Sequence, residues 1–159
     1  MELGWLGSIV FLGLTAGAIT ASYMYGKFNS KRLLISVLIA NVFSLFIFTV
    51  VKSYTLLVIS RFFTGFFQVF VSIYYPAWVD LFFNSSSKQK STMISILLLS
   101  SSLGVLLGYI VTAHLILIEA SWHWSFYIQV FVMIPLILVL IFTPARYLDL
   151  RLAPHTDDI

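Results

Sequence analysis

Arg61, Gly65, Gln68, Ser72 and Tyr75 recur at steps of four, three, four and three. On a helix of about 3.6 residues per turn these positions share one face. The opposite face is Phe, Val and Ile, and Phe62 to Val79 contains no acid or base. A guanidinium at the head of such a stripe offers five donors and a fixed charge, the chemistry that recognises carboxylate or phosphate. Two readings of Arg61 stand side by side. It lines an interior pathway for a solute, or it lies near a helix end and snorkels to water.

The rest of the chain says what must hold this stripe. Leu3 to Gly26, Leu33 to Val51, Ser91 to Ile118 and Trp124 to Ala145 also lack Asp, Glu, Lys and Arg. Each approaches the roughly 20 apolar residues that cross about 30 Å of hydrocarbon as a helix. Hydrophobic residues make up 60% of the 159 and charged residues 9%, against about 25% charged in soluble domains. Mean hydropathy is +1.02. The chain is expected to be an all-α, polytopic membrane bundle of about five helices. The spans fall at about 4–25, 33–51, 56–80, 92–116 and 124–143, within a bundle of 1–147 and ahead of a polar tail, 148–159.

Charge placement orients the bundle. Lys27, Lys31, Arg32, Lys88, Lys90, Arg146 and Arg151 fall on one side of a five-span chain, and only Lys52 on the other. Positive charge concentrates on the cytoplasmic face, so the C-terminus is expected there and the N-terminus outside. A start on the far side is the arrangement expected if one more span precedes Met1. The net charge of +3 is explained by this topology and needs no nucleic acid.

Several polar and small residues are candidates for lesser roles. Gly13, Gly17 and Ala21 at i, i+4, i+8, and Gly104 with Gly108, have the spacing that lets helices approach closely. Asn41 in the second span is expected to face another helix or a cavity. His114 reads as an interfacial residue and Trp122-His123-Trp124 as an aromatic belt. Asp80, at the inner end of the third span, is expected to pair with the basic stretch Lys27 to Arg32 as an inner latch. Catalysis finds no footing. The chain has no Cys and six acids, no phosphate-cradling or zinc motif, and no paired acids within the spans. No metal or cofactor is expected.

In their order these features resemble the first half of a major facilitator superfamily transporter without its first helix. Lys27, Phe28, Lys31 and Arg32 fit the family's loop signature between its second and third helices, while Gly26, Asn29 and Ser30 depart from it. Arg61-Phe62-Phe63-Thr64-Gly65 is similar to its fourth-helix Arg-x-x-x-Gly signature. Trp122 to Tyr127 is similar to the start of its sixth helix. Asp80-Leu81-Phe82, Leu103-Gly104 with Gly108-Tyr109-Ile110, and Trp122-His123-Trp124 resemble the spinster-type lipid transporters in particular. Where that group has an acid on its fourth helix, this chain has Gln68.

The resemblance implies alternating access around a site near the midplane. Arg61, Gln68, Ser72, Tyr75 and Asn41 would face the substrate path, with Lys27, Lys31, Arg32 and Asp80 controlling the inner opening. Gly65 would join Gly13 and Gly17 in helix packing. The bilayer is one partner. A second transporter half, a homodimer mate or other membrane subunits would cover the polar stripe. A different reading is a non-transporting subunit, a transporter relic that packs within a larger complex.

Overall fold

The structure is a computed structural model that describes residues 2–83 and 87–150. Five long helices form it: α1 (Glu2–Lys27), α2 (Ser30–Val50), α3 (Tyr54–Phe82), α4 (Ser87–Leu117) and α5 (His123–Phe142). A single turn, α6 (Ala145–Leu148), follows. There is no strand among the described residues. All five long helices are long and apolar enough to cross a membrane. Of the polar tail expected at 148–159, residues 151–159 lie outside the described residues.

Helix ends follow local chemistry. Asn29 is the N-cap of α2, its side-chain oxygen accepting from the Arg32 backbone N–H at 3.1 Å. The helix α4 closes in a Schellman turn, with Ala120 N–H donating to the Leu115 carbonyl and Glu119 N–H to the Ile116 carbonyl. Glu119 takes the left-handed position at φ 54°, which glycine adopts without steric penalty. Glu119→Gly is therefore expected to stabilise the bundle by about 1 kcal/mol, read as a higher melting temperature in detergent.

The helix α3 is the hub. On one side it meets α1 at the closest approach in the bundle. A Cβ built on Gly13 would overlap the Phe62 carbonyl, one on Gly65 the Val10 carbonyl, and one on Gly17 would lie 2.5 Å from the Phe66 carbonyl oxygen. Without a hydrophobic force between helices in lipid, such backbone proximity and the dispersion it brings hold the pair. On its other side α3 meets α2 through hydroxyls. Ser60 Oγ donates to the Ser44 carbonyl at 2.6 Å, and Ser44 Oγ to the Ser60 carbonyl at 2.8 Å. Thr64 Oγ1 lies 3.2 Å from Ser44 Oγ. These groups are buried and satisfy one another away from lipid.

The core lies toward the end of the bundle where the segment after α5 packs. Ala21 and Tyr25 of α1, Leu34 and Leu38 of α2, Phe70 and Tyr74 of α3 and Leu140 of α5 form one buried cluster. In contrast, α4 has no buried residue among those described. Its hydroxyls are turned onto its own backbone, Ser100 Oγ to the Ile96 carbonyl and Ser102 Oγ to the Leu98 carbonyl. Back-bonding of this kind lets a serine face hydrocarbon without an orphaned donor.

The spacing Gly104–Gly108 promised a close helix contact that this fold does not make. Neither residue has any atom within 4 Å of where a Cβ would stand. The small residues border a gap, because α5, the helix that faces them, stands off across a cleft.

Candidate functional site

The stripe on α3 does not present a single surface. Gly65 is buried against Val10 of α1. Gln68 and Ser72 are exposed on the outside of the bundle, and Tyr75 is half-buried. Ser72 Oγ lies 3.4 Å from the Gln68 carbonyl. Asn41 of α2 is 5% exposed, and its Oδ1 has no hydrogen-bond partner among the described residues.

Arg61 stands in an aromatic niche. Its guanidinium carbon is 4.1 Å from the Phe48 ring centroid on α2 and 5.0 Å from that of Phe126 on α5. Phe48 and Phe126 meet edge to face at 4.9 Å, and Trp122 packs against Phe48 at 5.7 Å. The rings take the face of the cation. Among the described residues Arg61 forms no salt bridge. Arg61 thus joins three helices, near the start of α3, the end of α2 and the start of α5. The sequence spacing had shown neither ring partner, because both lie on other helices.

At the opposite end of the bundle, the basic loop makes different contacts from those expected. Asp80 does not reach Lys27, Lys31 or Arg32; it pairs with Lys90 in the first turns of α4. The reason is connectivity: α4 follows α3 after a short link and brings Lys90 alongside. Lys31 is engaged elsewhere, its Nζ donating to the Ile141 and Thr143 carbonyls at 2.9 and 2.7 Å. Those are orphan carbonyls at the end of α5, where a cation is favoured. Lys27 lies over the Tyr23 ring at 5.8 Å, and the Arg32 side chain is exposed.

The sequence reading also missed Asp149, which it placed in the polar tail. Asp149 is 3% exposed. Its carboxylate accepts from Asn29 Nδ2 at 2.7 Å and from the Ser30 backbone N–H at 3.4 Å, at the N-terminus of α2. The segment that carries it is fastened to α3. Tyr74 Oη donates to the Leu148 carbonyl at 2.6 Å, and Trp78 Nε1 to the Tyr147 carbonyl at 2.7 Å. The segment after α5 is therefore a clasp across α2 and α3. The one advance signal was an acid within reach of the bundle's end.

No group of three or more His, Cys, Asp or Glu side chains among the described residues could hold a metal. The arrangement defines a multi-pass membrane protein with a lone cation at one end of the bundle and a polar clasp at the other. The family model of the Major Facilitator Superfamily matches residues 1–156, and the chain belongs to that superfamily. Comparison with curated proteins finds no match. The superfamily is one of membrane transporters, so membership supports a transport role in general and no catalytic one.

Proposed function

We propose that the chain forms part of an alternating-access transporter for a small organic or lipid-like solute that carries an anionic or zwitterionic group. The observation that carries this reading is Arg61, a membrane-embedded cation stacked on two rings with its donors left for a ligand. The exposed Gln68 and Ser72 extend a polar face along the same helix. A second half, a homodimer mate or another membrane subunit would cover that face, since a glutamine amide facing lipid costs free energy. The C-terminal side, with its basic loops, is assigned to the cytoplasm. The spinster-type likeness points to an amphipathic solute, and Gln68 to coupling that does not use an acid at that position.

The test has two parts. The particle containing the chain is extracted in mild detergent and its mass and composition are measured. It is then reconstituted, and uptake of labelled organic anions and of a short-chain anionic lipid is followed. Arg61→Ala is expected to lower uptake about ten- to a hundredfold, as loss of one charge-assisted contact of about 1.5–3 kcal/mol implies. Arg61→Lys keeps part of the rate. A chain held in a large assembly of unrelated subunits, with no uptake, overturns transport in favour of a packing subunit.

A further inference from the structure

A cleft of about 670 Å³ opens between α4 and α5, within the 300–1,000 Å³ typical of small-molecule sites. Gly104, Gly108 and Thr112 line one wall; Ser125, Gln129 and Leu136 line the other. A Cβ at Gly104 or Gly108 would meet nothing within 4 Å, so the cleft is open beside both glycines. From Ser125 to Leu136 the α5 wall spans 11 residues, roughly 17 Å of helix. That is close to one leaflet of hydrocarbon, half of about 30 Å. The cleft starts near the N-terminal end of α5 and runs along the helix, so its length matches one acyl tail of the leaflet at that end.

The cleft and the cation share a side chain. Phe126 lines the cleft, and its ring is one of the two on which Arg61 stacks. Depth agrees as well. The helix α3 has 29 residues, roughly 43 Å, so about 7 Å at each end projects beyond the hydrocarbon. Arg61 is seven residues from its start, roughly 10 Å, which leaves its Cα a few ångströms below the boundary. Its long side chain reaches the headgroup layer. Gln129 places a side-chain amide on the same cleft wall.

We infer that Arg61, Phe126 and the α4–α5 cleft together form a binding site for an anionic membrane phospholipid, with the phosphate on Arg61 and one tail in the cleft. The inference rests on reading Arg61 as an anion site, and it is independent of whether the chain moves a solute. Charge decides the occupant. A transmembrane helix would fill the apolar cleft but leave the guanidinium unanswered, whereas a phospholipid satisfies both.

The experiment measures equilibrium binding, so a failed uptake assay does not bear on it. The full chain is placed in nanodiscs of phosphatidylcholine with a minority of phosphatidylglycerol, released gently, and analysed by native mass spectrometry. Retained phosphatidylglycerol is expected in excess of its share of the bilayer. Arg61→Gln should reduce that excess about tenfold. Gly108→Leu, whose Cβ would enter open space and whose side chain would occupy the cleft, should remove both lipids together. Its melting temperature should stay unchanged, showing that the fold survives. Equal retention of the two lipids, or an excess indifferent to Arg61→Gln, overturns the inference. So does a change of oligomeric mass on Gly108→Leu without loss of lipid, which would make the cleft a seat for a helix or a second copy.

Discussion

Gly13→Leu is expected to destabilise the bundle by at least about 3 kcal/mol, at the upper end of what overpacking costs. The cause is not volume alone. The atoms a new Cβ would meet at Gly13 are the Phe62 carbonyl and the Phe66 amide, both backbone, and backbone cannot rotate aside as a side chain can. The helix α1 would have to withdraw along its length. Withdrawal would also loosen the contacts at Gly17 and Gly65, and the Tyr25 Oη bond to the Phe70 carbonyl at 3.1 Å. The measurement is unfolding in mixed micelles, followed by tryptophan fluorescence. Gly104→Leu is the control, expected to change stability by less than about 0.5 kcal/mol, because its site is open. Equal effects of the two substitutions would show that α1 and α3 are not so closely apposed.

That pair of variants also marks where sequence reading stops. Gly13–Gly17 and Gly104–Gly108 have the same spacing and permit the same close approach. Whether a helix is there to approach depends on the fold, and spacing on one helix carries no trace of it. The five spans were legible because the bilayer imposes a length and a composition that nothing else in the chain imitates. The all-helical bundle followed, since backbone groups in hydrocarbon must be satisfied within a segment.

The stripe on α3 misled for a related reason. Periodicity says that Arg61, Gly65, Gln68 and Ser72 share a face, but the surroundings of that face change along a helix of 29 residues. Near its start it meets the rings of α2 and α5, then the backbone of α1, and further on it is exposed. Burial of Ser44, Ser60 and Thr64 was equally invisible, because a hydroxyl that faces a partner helix and one that bonds its own backbone look alike in sequence. Asp149 was lost to composition: beside Arg151, Asp157 and Asp158 it reads as one more charge in a polar tail.

Asp149→Ala is expected to open the inner end. The substitution removes the acceptor of two donors, Asn29 Nδ2 and the Ser30 N–H, in a place where water does not readily replace it. Each unsatisfied buried group costs roughly 1–3 kcal/mol, so a loss of about 2–4 kcal/mol in the clasp is expected. The anionic partner at the N-terminus of α2 goes as well. The chain has no cysteine, which allows a clean reporter. Ser30 is fully buried and its Oγ has no hydrogen-bond partner among the described residues, so Ser30→Cys places a thiol there at little cost. In that background Asp149→Ala should speed maleimide labelling at least tenfold, since labelling follows the open population. Asp149→Asn keeps a side-chain acceptor without the charge and should fall between the two. If the thiol stays protected in Asp149→Ala, the clasp is held by Tyr74 and Trp78 alone, through their bonds to Leu148 and Tyr147. Asp149 would then contribute only local capping of α2. Fast labelling would instead identify the segment after α5 as the part of the bundle that must release before the inner end can move.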